Sequence, residues 1–329
     1  EQDGTNGSRG YFTINVKGNR SGLILIDGFC LDMGLQNNYK AANTSDPAFG
    51  CPPGCETGLI LETSQGNIAH QLMKGNVEGH LVVRNCVFVN GDYFGIQMNN
   101  IGGAWEIYNN VFVSNLFAAC CIDGWNKEAN QSYVDFHHNT VLFSWCRTKL
   151  MEDMGYGYCF RSNVDSDVHH NIFGCSNYAA MERTHANSNK EIEAKRKTSA
   201  YDNRFFMNRC DLLLPAPGGG TWTYVKASQF EDVEQLVKYE NNAELSQSSS
   251  FMKAIDEAYL KGFAQIKKME SSSFDRNSAA NQYRQAHGLN MQGTEIVRVS
   301  MYGNRYNMEK TFQLFGAEKG YGAQIPALN

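Results

Sequence analysis

Two pairs of an aspartate and a histidine recur at matching positions in this chain of 329 residues. Asp135 stands two residues before His137, and Asp167 stands two residues before His169. Residues two apart in a β-strand project from the same face, so each pair would present a carboxylate beside an imidazole. Such groups could coordinate calcium or another divalent cation, or could form a general base with its orienting carboxylate. A solvated ladder, in which imidazoles stack for packing reasons alone, is the alternative.

Ionisable residues also cluster further along the chain, in the segment 145–153 and just beyond it. The segment carries Arg147 and Lys149, and Arg161 follows on the next predicted strand. Cationic side chains of this kind can neutralise a substrate carboxylate or take up a proton. Arg161 also has a structural explanation as part of an outward salt-bridge column. That column would contain Asn99, Asp123, Arg161 and Glu182.

The elements that must position these residues are repeats. Five segments read alike, and they span residues 81–88, 105–112, 134–141, 166–173 and 198–205. Successive segments begin 24, 29, 32 and 32 residues apart, a period that is typical of solenoids. Apolar residues alternate with polar ones within the segments, which predicts a strand with one buried face instead of a helix.

An Asn follows the strand in four of the five segments, at Asn110, Asn139, Asn171 and Asn203. Cys86 stands at this position in the first segment. Asn tolerates the left-handed backbone conformation, so it can turn the chain sharply, and its amide can bond to the amide of the next repeat. We therefore expect these four residues to form the corner of each repeat and a ladder of amides.

Strand parity predicts which side chains share a face. The residues expected to point inward are Val83, Ile107, Phe136 and Val168. One outward column would then contain Arg84, Tyr108, His137, His169 and Tyr201. The neighbouring outward column would contain Val82, Glu106, Asp135, Asp167 and Ser199. The two Asp/His pairs would therefore lie directly above one another, while His138 and His170, at the corners, would bond to backbone carbonyls.

A strand, an Asn corner, a second short apolar run and a variable loop make one coil of a parallel β-helix. On these segments the chain resembles the right-handed parallel β-helix superfamily, which includes pectate lyases, alginate lyases, polygalacturonases and some epimerases. The resemblance spans roughly residues 10–225 and implies an all-β fold, a right-handed parallel β-helix or solenoid. Helical spacing after residue 226 predicts a helical C-terminal appendage.

The resemblance also implies an activity. In β-helix lyases the substrate lies along an exposed face, and the proton α to a uronate carboxylate is removed. The catalytic candidates are then Lys149, Arg147, Arg161, His137 and His169. The substrate-binding candidates are Asp135, Asp167, Tyr108, Trp125 and Tyr156. The motifs of the polygalacturonases are absent, so hydrolysis by paired carboxylates is disfavoured.

Composition narrows the class of partner and the compartment. A formal net charge of -5 and a pI near 5.9 argue against a nucleic-acid partner, which would need a basic face. The sequence contains no apolar run of the roughly 18 residues that a membrane span needs. Ten cysteines fit an oxidising compartment, so we expect a secreted, periplasmic or cell-surface protein.

Two pairs of cysteines each have two interpretations. Cys51 and Cys55 would close a short loop as a disulfide, or would belong to a redox or zinc site. Cys121 and Cys159 would lie with Gln97 in one outward column, on neighbouring coils and close enough at the backbone for a disulfide. Two buried free thiols are equally compatible with their positions.

The sequence also predicts how the chain is divided. Residues 1–225 would form the solenoid with projecting loops at 32–56 and 184–197, the second a short solvated helix or flap because of its mixed charge. Residues 226–329 would form a helical and irregular appendage that packs on the solenoid or on a partner. A solenoid end needs such a cover, so the C-terminal tail would also allow a homo-oligomer or a larger assembly.

Two functions are consistent with these patterns. The first is binding or modification of an acidic polysaccharide, by lyase or epimerase chemistry if the protein is an enzyme. The second is a non-catalytic structural, adhesive or assembly-forming surface protein. An enzyme should show a groove where the candidate residues converge, whereas a scaffold should show flat faces and an apolar patch at one end or along the tail.

Overall fold

The fold is given by a computed structural model. It describes residues 9–18, 21–32, 70–91, 94–115, 117–124, 131–144, 155–176, 178–184, 190–215, 222–264, 267–268, 286, 297–298 and 306–326. The predicted residues and loop that lie outside this set are Cys51, Cys55, Trp125, Arg147, Lys149 and nearly all of 32–56.

Each pass of the chain adds one strand to each of three sheets. Sheet A consists of β1 (Arg9–Val16), β4 (His70–Val77), β7 (Phe94–Asn100), β10 (Ala118–Gly124), β13 (Tyr156–Ser162), β16 (Ala179–Arg183), β19 (Cys210–Pro215) and β20 (Trp222–Val225). Sheet B consists of β2 (Leu23–Asp27), β5 (His80–Arg84), β8 (Gly103–Tyr108), β11 (Ser132–His137), β14 (Val164–His169) and β17 (Thr198–Tyr201). Sheet C consists of β3 (Cys30–Asp32), β6 (Val87–Val89), β9 (Val111–Val113), β12 (Thr140–Leu142), β15 (Ile172–Gly174), β18 (Arg204–Phe206) and β21 (Ala243–Glu244).

Neighbouring strands in the three sheets are parallel, except that β20 returns antiparallel to β19. Parallel strands need a long crossover, and here the strands of the other two sheets supply it. A separate antiparallel pair consists of β22 (Lys267–Lys268) and β23 (Val297–Arg298). The architecture is therefore all-β with stacked parallel sheets, and it is compatible with a β-helix-like solenoid.

Helices are short and lie mostly toward the C-terminus. In the described ranges, the α-helices of more than one residue are α1 (Lys190–Lys195), α2 (Ser250–Ala254), α3 (Glu257–Ala264) and α4 (Met308–Thr311), and the 3₁₀ helices are Ala227–Asp232 and Phe312–Leu314. Within the described ranges, none of these helices has the length and apolarity needed to cross a membrane.

The predicted strand parity is confirmed in sheet B. The four residues predicted to point inward are fully buried and pair with one another across β5, β8, β11 and β14. The two outward columns have the predicted register, from Arg84 to Tyr201 and from Val82 to Ser199. Because side chains alternate across a strand, the inward column becomes the core, where each large apolar side chain contributes about 1.5–3 kcal/mol.

The predicted amide ladder is also confirmed. Asn139 Oδ1 accepts hydrogen bonds from the backbone N–H and the side-chain amide of Asn110, both at 3.0 Å. Asn139 Nδ2 donates to the Ile107 carbonyl at 2.7 Å, and the same arrangement recurs at Asn171 and Asn203. The ladder ends at Asn242, which lies beyond the five repeats and was not predicted.

The prediction that the ladder residues are left-handed was wrong. The left-handed residue is the one before each of them, with φ of 56° at Asn109, 50° at His138, 55° at His170 and 53° at Asp202. The chain therefore turns one residue earlier, which leaves the ladder amides buried inside the corner. A buried amide keeps its bonds in the absence of competing water, so the corner is held from within.

The C-terminal part of the chain covers sheet C and one end of the stack. Phe230, Val233 and Leu236 complete the core at the last coil. The outer face of sheet C packs against α2, α3 and residues 306–326, where Tyr259 and Tyr306 are buried. The described cysteines are free thiols, and Cys121 and Cys159 are buried neighbours on β10 and β13, in line with the thiol interpretation.

Asn139→Ala is expected to lower the free energy of unfolding by about 3 kcal/mol, because the Asn110 N–H and the Ile107 carbonyl lose their partners in the core. Asn242→Ala is the matched control, since it removes ladder bonds at a half-exposed position where water replaces them. In Asn242→Ala the free energy of unfolding should fall by about 1 kcal/mol. Urea unfolding followed by circular dichroism measures the free energy of unfolding of both variants. Equal decreases in Asn139→Ala and Asn242→Ala would contradict the predicted dependence on burial.

Candidate functional site

The outer face of sheet B carries a row of four stacked rings, called the ring row here. It consists of Tyr108, His137, His169 and Tyr201, with centroids 4.8, 4.9 and 4.8 Å apart and interplanar angles of 8°, 3° and 14°. The spacing equals that of neighbouring strands, so the parallel register itself stacks the rings. Each inner ring has both faces covered, so only ring edges are presented to solvent. The two histidine rings therefore offer no free face on which a sugar could stack.

A second row of rings runs along the corner between sheets B and C. His138 stacks on His170 at 4.8 Å, and His170 stacks on Tyr321 of the C-terminal tail at 6.0 Å. Two short contacts join this corner row to the ring row: His137 Nδ1 lies 2.8 Å from His138 Nδ1, and His169 Nδ1 lies 2.9 Å from His170 Nδ1. The expectation that His138 and His170 bond to backbone carbonyls was wrong, because each finds a ring nitrogen instead.

The carboxylates beside the ring row have separate partners. Asp167 Oδ2 accepts a hydrogen bond from the hydroxyl of Tyr133 at 3.0 Å. Asp135 Oδ1 lies 3.0 Å from His169 Nε2, although no donor is aligned on this buried oxygen as a hydrogen bond. Asp135 and His169 are thus in close contact without an aligned hydrogen bond.

The imidazoles are kept neutral by their surroundings. Burial lowers the pKa of His137 to about 4, and the imidazoles of His169 and His170 lower it further while Asp135 opposes the shift. Burial and the neighbouring imidazoles also lower the pKa of His138 to about 4, and the pKa of His170 is lowered for the same reasons. At neutral pH these three rings are therefore proton acceptors and not cations.

Cations stand at both ends of the two rows. At one end Arg84 donates to the Tyr108 hydroxyl at 3.0 Å and pairs with Asp27 at 2.7 Å. At the other end Lys238 Nζ lies 3.2 Å from the ring centroid of Tyr201. A third cation is provided by Arg204, whose Cζ lies 3.8 Å from the ring centroid of Tyr321. The carboxylates occupy the middle of the face and the positive charges occupy its ends.

The second predicted group does not join this face. Arg161 and Tyr156 lie on β13 of sheet A, where Arg161 Nε donates to Glu182 at 2.9 Å. The predicted column of Asn99, Asp123 and Arg161 is confirmed, but Glu182 pairs with Cys159 instead of Arg161. The guanidinium reaches sideways to Glu182, so the salt-bridge explanation of Arg161 is supported. Neither Arg161 nor Tyr156 contacts the histidines in the described part of the chain.

The charged segment at 184–197 forms the predicted short helix, but the helix is not a solvated flap. Glu193 bonds to Arg183 and lies 3.2 Å from Arg196, and both arginines are buried. Arg196 also donates to the Val164 carbonyl at 3.0 Å. The segment is therefore held against the coils by ion pairs, because Glu193 of the segment pairs with the buried Arg183 of β16 and with the buried Arg196.

The described residues contain no group of three or more His, Cys, Asp or Glu side chains that could hold a metal ion. At the Asp/His pairs, the Nδ1 atoms of both histidines already face other imidazoles. The described part of this face therefore gives no support to a divalent-cation site. The other two interpretations of these residues are a base with its orienting carboxylate and a ladder of imidazoles stacked for packing reasons.

Sequence reasoning missed three residues of this face. Lys238 and Tyr321 come from outside the repeats, and no local pattern points to them. His170 had a visible signal, because His-His-Asn recurs at residues 137–139 and 169–171. The adjacent histidines of each motif lie at right angles, with interplanar angles of 86° and 85°, so both can share one proton through their Nδ1 atoms.

Comparisons of the chain with protein-family models, with curated proteins and with solved structures each find no match. Of the predicted residues, the outer face of sheet B brings together Tyr108, Asp135, His137, Asp167 and His169.

Stability should fall as the pH is lowered from about 6.5 to about 4. The unfolded histidines take up protons near the ordinary pKa of 6.5, whereas His137 and His138 do so only near 4 in the folded protein. The unfolded state binds more protons within this window, so the stabilisation is complete above it and is lost as the pH falls. Urea midpoints across the window test this, and the slope should be smaller in His138→Gln. A urea midpoint that does not change between about pH 6.5 and about pH 4 would contradict the predicted loss of stability.

Proposed function

We propose that the chain is a right-handed parallel β-helix protein, secreted, periplasmic or on the cell surface, that binds an acidic polysaccharide along the outer face of sheet B. We further propose that it removes the proton α to a uronate carboxylate, as a polysaccharide lyase or an epimerase does. The observation that supports this is a pair of imidazoles, His169 and His170, whose Nδ1 atoms lie 2.9 Å apart and which Asp135 backs on a solvent-facing sheet.

A base for this chemistry must be unprotonated at neutral pH and must be within reach of solvent. The lowered pKa of His137 and His170 meets the first condition, and the half-exposed positions of both rings meet the second. The nearby carboxylate of Asp135 can stabilise the imidazolium that forms when a proton is taken up. The same geometry would orient the imidazole in both reactions. A lyase releases the proton to solvent, whereas an epimerase returns a proton to the other face of the sugar.

The charge distribution determines where a uronate carboxylate would sit. Glu106, Asp135 and Asp167 lie in one outward column and would repel it in the middle of the face. Lys238 and Arg204 lie at the end where the coils meet the tail, beside His170, and would attract it. Neutralisation of that carboxylate stabilises the carbanion that forms when the α-proton leaves.

Removal of one cation from this end should weaken binding of an acidic chain. In Lys238→Ala we expect the Kd for alginate, pectate, hyaluronan or heparin-type oligosaccharides to rise about fivefold at low salt, which corresponds to about 1 kcal/mol. Lys261→Ala is the matched control, since it removes an exposed lysine paired with Glu257 on α3. Titration calorimetry measures both. Equal effects of the two variants, or no binding of any polymer by the wild type, would reject the proposal.

A second candidate function is self-assembly through the N-terminal end of the stack. Leu23 and Leu25 on β2 expose 64% and 48% of their surface, and the neighbouring Phe29 exposes 48%. The tail adds Phe312 and Ile325 to this apolar end, around a groove of about 370 Å³. An apolar end of this kind is the feature expected of an assembly-forming scaffold, and β2 is the edge strand of sheet B.

The partner that fits this edge is a second copy of the chain, because two identical edges can pair about a twofold axis. We expect sedimentation velocity to show a concentration-dependent dimer in the wild type and a monomer in Leu25→Lys. Val237→Lys is the matched control, since Val237 is an exposed apolar residue that follows the last strand of sheet B. A monomer at all concentrations in the wild type would reject the assembly.

A further inference from the structure

We infer that His170 is the proton acceptor of the outer face of sheet B, and that Asp135 orients it through His169. The order of contacts is Asp135 Oδ1 to His169 Nε2 at 3.0 Å, then His169 Nδ1 to His170 Nδ1 at 2.9 Å. The catalytic part of this inference rests on the proposed function, whereas the order of protons along the chain does not. His170 was expected only to satisfy a backbone carbonyl.

The positions of the protons follow from the donors and acceptors. Asp135 accepts only, so the nearby Nε2 of His169 carries the proton. In the tautomer of His169 with its proton on Nε2, Nδ1 carries a lone pair, which must accept from Nδ1–H of His170. His170 is left with an unprotonated Nε2 on the opposite side of its ring, and no described residue bonds to that nitrogen. The pair thus presents one fixed lone pair to an incoming substrate.

The neighbouring pair of histidines lacks this support and serves as an internal comparison. His137 and His138 make the same Nδ1 contact at 2.8 Å, and the equivalent carboxylate one coil earlier belongs to Glu106. Glu106 is exposed and makes no close contact with His137 in the described part of the chain. The tautomer of His138 is therefore not imposed by a carboxylate, and the carboxylate-backed base is unique to the following coil.

The ring of His170 is held on several sides. It stacks on His138 and Tyr321, and its carbonyl accepts from the Gly322 N–H at 2.8 Å. The remaining titratable or charged groups that face it are His169, Tyr201, Asp202, Arg204 and Lys238. Both cations proposed to hold the uronate carboxylate are thus among the neighbours of His170.

In the lyase reaction, His170 Nε2 takes the proton from the carbon α to the carboxylate. The electron pair of the broken C–H bond forms the new carbon–carbon double bond, while the glycosidic C–O bond at the β-carbon breaks. The leaving oxygen keeps the pair of that bond and takes a proton from water. The imidazolium that forms shares its Nδ1 proton with His169, whose other nitrogen faces Asp135, and then returns the substrate proton to solvent.

Nitrogen NMR of the full chain with ¹⁵N-labelled histidine tests the order of protons without any substrate. At pH 7 we expect His170 to carry its proton on Nδ1, and we expect the Nε2-protonated form to reach a comparable population in Asp135→Asn. Glu106→Gln is the matched control and should leave the His170 signals unchanged. A proton on Nε2 of His170 in the wild type, or no response to Asp135→Asn, would overturn the inference.

The catalytic role is tested by the ultraviolet absorbance of new unsaturated uronate ends. His170→Gln should lower kcat about 100-fold with little change in KM, with folding checked by circular dichroism. His80→Gln is the control and should stay within about threefold of wild type, because His80 is an exposed histidine whose Nδ1 contacts only the Ala104 carbonyl among the described residues. Retained kcat in His170→Gln overturns the role. If the wild type binds the polymer without turnover, the catalytic role of His170 is also rejected, but the proposal that the protein binds an acidic polysaccharide is kept. If the wild type binds no polymer, the proposed function is rejected. The ¹⁵N NMR spectra would still determine the order of protons along Asp135, His169 and His170.

Discussion

Hydrogen bonds between the side-chain amides of successive coils are the interaction on which the rest of this structure depends. Asn110, Asn139, Asn171 and Asn203 each join two coils and also bond to the backbone of a strand. They lie between sheets B and C, so they hold both sheets in register from one coil to the next. A slip by one residue would expose the core face of every strand and would break the ladder as well.

The same register places like residues above one another on the outside. In the interior this stacks Phe112, Phe136 and Phe173, which is favourable. On the outer face of sheet B it stacks histidine on histidine at strand spacing, where two positive charges would repel. Burial lowers the pKa of His137, which keeps that ring neutral in the stack and makes it a hydrogen-bond acceptor. The chemistry proposed for this face is thus a consequence of the architecture.

Among the described residues, two surfaces stay exposed and carry the proposed functions. The C-terminal segment covers the outer face of sheet C, and Cys121, Cys159 and Tyr178 on or beside sheet A are buried. The outer face of sheet B keeps half-exposed polar columns, and the N-terminal end keeps exposed apolar residues. A polar face suits a polysaccharide and an apolar end suits another protein surface, so the two proposed functions occupy different parts of the molecule.

Repetition in the sequence determined the strands, their inward and outward columns and the amide ladder. These features depend on spacing within a segment and on residues at equal positions in successive segments, so they can be read without coordinates. The stacking of Tyr108, His137, His169 and Tyr201 follows from the same register.

Only the tertiary structure determined which residues complete the outer face of sheet B. Lys238 and Tyr321 reach it from beyond the repeats. On sheet A, Arg161 bonds sideways to Glu182, which lies in the column of Cys159. The left-handed turn one residue before each ladder Asn is a further example, since it brings the Nδ1 atoms of His169 and His170 together. Contacts between distant segments, and the exact residue at which a chain turns, depend on packing that no local pattern records.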